Sequence, residues 1–131
     1  MSIIGITRLK GTVKMENRAR EMAKIACHAL SEKKAIDIEV IDISEISTIA
    51  DYFLIAGSSN QQQLTAMRDQ VEEELYKAGF KECRIEGNNR STWILMDFSD
   101  IIVHLFSGDD RLFYDLERVW RDGKSMKPDQ L

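Results

Sequence analysis

The stretch between Glu86 and Trp120 concentrates the residue types that could do chemistry in this chain. It holds both tryptophans, one of the two histidines, seven acids and three arginines. Three positive charges minus seven negative ones give −4, which equals the formal net charge of the whole chain. An acidic surface with aromatic side chains is typical of a site that binds a basic protein. The alternative, which composition alone favours, is a solvated helix face beside a core hairpin.

A catalytic site is not expected. The turn Gly57–Ser59 follows an apolar strand and precedes a helix, where backbone N–H groups could bind phosphate, but the lysine and second glycine of a Walker loop are missing. A nucleotidyltransferase needs two or three neighbouring carboxylates to hold Mg²⁺. The next strand offers only Glu86, and nothing in the sequence brings Asp97 and Asp100 to that turn. His104 has no nucleophile partner at a recognisable spacing. We therefore expect no catalytic residues, no metal and no cofactor.

Composition limits the class of protein. The chain has 131 residues, 44% hydrophobic and 31% charged, enough for one domain with a real core. A pI near 5.2 argues against binding nucleic acid through net charge. Cys27 and Cys83 lie far apart in no metal-like spacing and are expected to be thiols in a reducing compartment. No apolar run reaches the length of a membrane span and no signal peptide is recognised, so we expect a cytoplasmic protein.

Hydrophobic periodicity predicts three helices. The first covers Met15–Lys34, where His28 is more typical of an exposed histidine than of a ligand. The second opens at Ser59, which forms a capping box with Gln62, and ends before Gly79. The third follows the residues Ser107–Asp110 and runs to Trp120.

Short apolar or alternating runs predict the strands, with Tyr52–Ala56 as a central strand covered on both faces. The expected strands are Ile36–Ile43, Tyr52–Ala56, Glu82–Glu86, Trp93–Phe98 and Ile101–Phe106. The element order is then α-β-β-α-β-β-β-α. This order favours an α/β (α+β) fold, a mixed sheet of about five strands with helices packed on it.

The sequence predicts a single domain over residues 15–122. Residues 1–14 have no clear period and are interpreted as an ill-defined leader, or alternatively as a short edge strand at Ile3–Ile6. Residues 123–131 are interpreted as a tail, since Pro128 and mixed charges argue against order.

A series of short motifs in a fixed order resembles the ribosomal silencing factors, the iojap-type (RsfS) proteins. The motifs lie between Met15 and Trp120, and each is weak alone. They are Val40–Ile43, Ala50–Asn60, Glu86–Gly87, Trp93–Phe98 with Ile102–His104, and Arg111–Trp120. A small departure is Ser99, which stands where the family usually has glycine in the hairpin turn.

The resemblance implies a nucleotidyltransferase-like fold that lacks the catalytic carboxylates. It implies binding to the large ribosomal subunit through ribosomal protein uL14 on the intersubunit face. There the factor would sterically block joining of the small subunit and so repress translation. It also implies a homodimer, with no membrane and no direct sequence-specific nucleic acid as partner. The alternatives are a nucleotidyltransferase-like enzyme and a factor in large-subunit assembly.

By the same resemblance, a small set of aromatic, acidic and basic residues is expected to dock on the partner. These residues are Trp93, Asp97, Asp100, His104, Arg111 and Tyr114. Trp93 and Tyr114 would be aromatic anchors, and the two aspartates would pair with Arg or Lys of the partner. The alternatives are a core position for Trp93 and a strand histidine for His104.

Overall fold

The computed structural model describes residues 7–87, 90–107 and 123–131, with side chains from residue 18 onward. Two helices and six strands are defined in this part of the chain, and a short 3₁₀ helix follows them. In chain order they are α1 (Thr7–Glu32), β1 (Ile36–Asp42), β2 (Tyr52–Ser58), α2 (Gln61–Lys77), β3 (Arg84–Glu86), β4 (Trp93–Asp97), β5 (Ile101–Ser107), β6 (Lys124–Met126) and the 3₁₀ helix Pro128–Gln130.

The described strands form one mixed sheet in the order β3-β4-β5-β2-β1-β6. The central pair, β2 and β5, is parallel, and the four other pairs are antiparallel. A parallel pair needs a long crossover connection, and this connection includes α2. The predicted fold class is confirmed. The continuous apolar run of β2 agrees with its central place in the sheet, where every residue of the strand except Phe53 is buried.

Both described helices pack on one face of the sheet and form the main core. The alanines of α1 let this helix lie close to its neighbours in the core. The larger side chains of α2 fill the space between that helix and the sheet. The fully buried members are Ala19, Met22, Ala23, Ala26, Ala29, Leu30, Leu64, Met67, Val71 and Leu75 from the helices, and Val40, Leu54, Ala56, Ile94, Met96, Ile101, Val103 and Leu105 from the strands.

The expectation that residues 123–131 form an unordered tail is wrong, because part of this segment is a strand of the sheet. β6 pairs with β1, with Val40 opposite Met126, and Met126 packs against the main core. The guanidinium of Arg20 also donates a hydrogen bond of 2.9 Å to the carbonyl oxygen of Gln130. The pairing satisfies backbone groups at the edge of β1, a gain that side-chain composition does not reveal. It also explains why the sheet has six strands rather than about five.

The helix boundaries differ from the predicted ones in two places. α1 begins at Thr7, within the segment interpreted as a leader, and not at Met15. α2 has Asn60 as its N-cap, one residue after the predicted Ser59, because the Asn60 side chain accepts a hydrogen bond from the Gln63 N–H. The Gly79 stop is confirmed, with a φ of +100° just after the C-cap. The predicted third helix, with Arg111 and Tyr114, lies outside the described residues.

Candidate functional site

The face of the sheet opposite α1 and α2 carries a second apolar cluster, which we call the second face. Strand alternation places it there: Val103 and Leu105 point to the helices, and Ile102, His104 and Phe106 point away. Phe53, Trp93 and Ile102 are only partly buried in it, whereas Ile41, Ile55 and Phe106 are fully buried. Among the described elements no helix covers this face.

His104 lies at the centre of the second face, surrounded by aromatic rings. It is 7% exposed. Its ring stacks on Phe53 at 4.3 Å between centroids and lies parallel to Phe106 at 6.0 Å. The indole Nε1–H of Trp93 donates a hydrogen bond of 3.1 Å to His104 Nδ1. Because β4 and β5 pair Trp93 with Phe106, His104 is the diagonal cross-strand neighbour of Trp93, within reach of a long aromatic side chain.

The charge state of His104 follows from this geometry. Burial lowers the pKa of His104 from 6.5 to about 4. The imidazole is therefore neutral at physiological pH, and its Nδ1 must be unprotonated to accept the indole N–H. The proton of the neutral ring is then on Nε2. A neutral histidine in this tautomer holds Trp93 but offers no charge to a partner.

The hairpin turn between β4 and β5 places the two aspartates together. Asp97 Oδ1 accepts a hydrogen bond of 2.8 Å from the Ser99 N–H, and Asp100 Oδ2 lies 3.1 Å from Arg18 Nε of α1. The Arg18 guanidinium also lies over the ring of Phe80, 5.0 Å from its centroid. Asp100 therefore already has a cationic partner within the molecule.

The described site residues form two groups at opposite ends of the hairpin. Trp93 and His104 touch each other, while Asp97 and Asp100 share the turn. Trp93 and Asp97 are four positions apart along β4, a distance of about 13 Å. Trp93 and Asp97 still project from the same face, because their positions differ by an even number. Trp93 and Asp97 can therefore contact one partner surface.

Several polar groups of the turn after β2 are already hydrogen-bonded within the chain. The Ser59 N–H donates to Gln63 Oε1 at 2.7 Å and the Gln63 N–H to Asn60 Oδ1 at 2.8 Å. The buried Ser58 hydroxyl is bonded to the carbonyl oxygens of Asn60 and Phe106. The side chains of the turn thus occupy donors that would otherwise face an anion.

The candidate metal carboxylates do not converge on that turn. β2 and β5 pair from Tyr52 opposite Ile101 to Ser58 opposite Ser107, so Asp100 lies at the far end, about 20 Å away. Glu86 lies on β3, three strands from β2 in the sheet, or about 14 Å. Within the described ranges, no group of three His, Cys, Asp or Glu side chains could hold a metal ion.

Two members of the site were not found by sequence reasoning. Phe53 supports His104, and the alternation within β2 could have placed it on that face. Arg18 lies far from Asp100 in sequence, and no local pattern signals their ion pair. The helices in the described part of the chain include none long and apolar enough to cross a membrane.

Comparisons with known proteins agree on one family. The model of the family described as "Ribosomal silencing factor during starvation" matches residues 16–131. The chain is 35% identical over 103 residues to ribosomal silencing factor RsfS of Bacillus subtilis, covering 79% of this chain and 87% of that protein. It is 36% identical over 102 residues to RsfS of Zymomonas mobilis, covering 78% and 77%. It is also 33% identical over 103 residues to the chloroplastic protein Iojap of Arabidopsis thaliana, covering 76% of this chain and 40% of that one.

Solved structures support the same assignment. A crystal structure of a protein from Bacillus halodurans superposes with a TM-score of 0.71 at 30% identity, covering 82% of this chain and 97% of that one. A crystal structure of a protein from Chromobacterium violaceum gives a TM-score of 0.72 at 30% identity, covering 77% and 84%. The family model, the relatives and the fold agree, and the chain belongs to the ribosomal silencing factor family.

Proposed function

We propose that this protein binds the large ribosomal subunit through ribosomal protein uL14 and blocks joining of the small subunit. The bound factor would occupy the intersubunit face and repress translation by steric exclusion. The observation that carries the proposal is the second face, where Phe53, Trp93 and Ile102 are partly exposed among fully buried neighbours. Tryptophan is among the residues most enriched at the hot spots of protein interfaces.

Charge supports a basic ribosomal protein as the partner. The whole chain has a net charge of −4, and Asp97 projects from the same face as Trp93. Opposite charges across an interface speed association and select partners. The intramolecular ion pair of Asp100 with Arg18 makes Asp97 the better candidate of the two for pairing with the partner. The roles of Arg111 and Tyr114 remain part of this proposal.

We expect the protein to act in the cytoplasm, not as an enzyme, and to form a homodimer when free. The loop after β1 supports a further protein contact, because Ile46 is 53% and Ile49 71% exposed. The Ile46 N–H donates a hydrogen bond to the carbonyl oxygen of Ile43, and Ile49 precedes Ala50 in the chain; Ile43 and Ala50 both belong to the second face. Exposed apolar side chains next to a partly buried cluster favour association with another protein.

Sedimentation with purified subunits tests the docking proposal. Wild-type protein should sediment with large subunits but not with small ones, and adding it before the small subunits should lower the yield of joined ribosomes. Trp93→Ala should weaken binding by about 2 kcal/mol, because it removes a large apolar anchor. Tyr76→Ala is a matched control, since Tyr76 is an exposed aromatic residue of α2, on the other side of the sheet.

Two results would contradict the proposal. One is absence of wild-type protein from the large-subunit fraction. The other is normal binding by Trp93→Ala together with a much lower melting temperature, which would make Trp93 a core residue and place docking elsewhere. Nucleotidyl transfer that requires Mg²⁺ and is lost in Ser58→Ala would favour the enzyme alternative.

A further inference from the structure

The contact between Trp93 and His104 suggests a role for the histidine other than direct contact with the partner. Trp93 has one polar atom, the indole N–H, and this atom donates to His104 Nδ1 at 3.1 Å. The two rings lie 5.9 Å apart and are tilted by 33°. The hydrogen bond therefore sets the orientation of an indole that is itself only half-buried.

His104 is held in place more firmly than the residue it contacts. The stack with Phe53 fixes one side of its ring, with an angle of 23° between the planes. Phe106 lies on the same strand at an angle of 10°. Since β5 is paired on both sides, by β2 and by β4, the backbone of His104 cannot shift without breaking the sheet. The hydrogen bond therefore joins a fixed acceptor, His104 Nδ1, to the indole N–H of the less buried Trp93.

An anchor that is already oriented binds more tightly than a free one. A side chain that must be ordered on binding loses rotamer freedom, and a polar atom that enters a dry interface without a partner loses its hydrogen bond to water. The His104 contact removes both costs before any partner arrives. It leaves the indole with no donor that the partner would need to satisfy.

We propose that His104 is a positioning residue for docking: its Nδ1 holds the Trp93 indole in the orientation that the partner meets and satisfies the indole N–H in advance. The inference rests on the proposed function, because it deepens the role of Trp93 in binding the large subunit. His104 itself needs no contact with the partner, in agreement with its burial.

A double-mutant cycle on full-length protein tests the proposal, with immobilised large ribosomal subunits as the probe. His104→Phe keeps an aromatic ring and removes the acceptor, whereas His104→Gln keeps an acceptor oxygen. We expect His104→Phe to dissociate roughly three- to tenfold faster, the loss of one hydrogen bond, with an unchanged association rate. His104→Gln should restore part of this loss. His28→Phe, at the exposed second histidine on α1, should behave like the wild type.

Trp93→Phe provides the other arm of the cycle. It keeps an apolar ring but has no N–H, so adding His104→Phe or His104→Gln to it should change dissociation little further. Additive effects would overturn the proposal, and so would wild-type dissociation from His104→Phe. If His104→Phe does not fold at the assay temperature, His104→Leu, which also lacks an acceptor, replaces it in the cycle.

The free protein supplies a readout that does not depend on the ribosome. In ¹H–¹⁵N spectra, the indole signal that disappears in Trp93→Phe should shift and exchange faster with solvent in His104→Phe. An unchanged signal would show that the hydrogen bond is absent, and the proposal would fail. If the wild type keeps this signal but does not bind large subunits, the proposed function fails instead, so the two failures are distinguishable.

Discussion

His104 makes the stability of this protein depend on pH. Burial lowers its pKa to about 4 in the folded protein from an ordinary value of 6.5, so between these values the unfolded chain binds more protons than the native one. Stability conferred by the neutral ring is therefore fully present above pH 6.5 and is lost as the pH falls to about 4. The loss is on the order of 3 kcal/mol, from 1.36 kcal/mol per unit.

The measurement is urea unfolding of the wild type and His104→Gln between pH 7.5 and 4. The variant lacks the titrating group, while the carboxylates are common to both proteins and cancel in the difference. We expect the free energy of unfolding of the wild type to fall more steeply below about pH 6.5. Parallel pH curves would contradict a buried neutral histidine.

Ser99 is a strained position in the hairpin turn. Its φ of +74° lies in the left-handed region, which costs a residue with a Cβ about 1 kcal/mol or more. Ser99→Gly should therefore raise the free energy of unfolding by about 1 kcal/mol, because the Ser99 N–H that bonds to Asp97 is retained. Ser31→Gly, at an exposed site in α1, should lower it by about 0.5 kcal/mol. Thermal melts of the two variants should shift in opposite directions.

The connection from β3 to β4 depends on a close approach of backbone at Gly87. A Cβ at Gly87 would lie 2.6 Å from the carbonyl oxygen of Trp93, whereas a Cβ at Gly79 would meet nothing within 4 Å. Both glycines have φ near +100°, so their alanine variants share the backbone strain. Gly87→Ala should cost about 1–3 kcal/mol more than Gly79→Ala, the penalty of overpacking.

Because the clash falls on the backbone of Trp93, Gly87→Ala should also weaken binding to large subunits, while Gly79→Ala should not. Chemical denaturation and the binding assay on the same two proteins check both expectations. Equal stability of the two variants would contradict the close approach.

Sequence reasoning located the helices and strands that short stretches of neighbouring residues specify. The apolar run of β2 and the alternation around His104 were enough to place both strands, and Gly79 was enough to end α2. Contacts between distant segments were not predictable, because their energy lies in backbone pairing or in one long-range ion pair. β6 and the Arg18–Asp100 pair belong to this class. The division of the candidate site residues into an aromatic end and an acidic end required the register of β4 and β5.

For the molecule as a whole, the net charge of −4 should steer it toward a basic partner. Asp97→Lys changes this charge by two units on the second face and should slow association with large subunits several-fold at low salt. The wild type should bind more weakly as salt rises, and the variant should show a shallower dependence. Binding kinetics over a salt series check this expectation.

Glu73→Lys on the exposed part of α2 is the matched control, since it changes the net charge equally on the other side of the sheet. Equal effects of the two substitutions would mean that total charge, and not the second face, guides the encounter.

The pairing of β6 with β1 has a consequence for the order of assembly during synthesis. Of the described strands, β1 is the first to be synthesised and β6 the last, so residues 40–42 stay unpaired on this side until residues 124–126 have been made. Until then this sheet edge is open to pairing with another chain. Where several ribosomes translate one message, the open β1 edges of neighbouring nascent chains could pair with each other. The short β6, with two exposed residues out of three, then acts as a late closure of that edge.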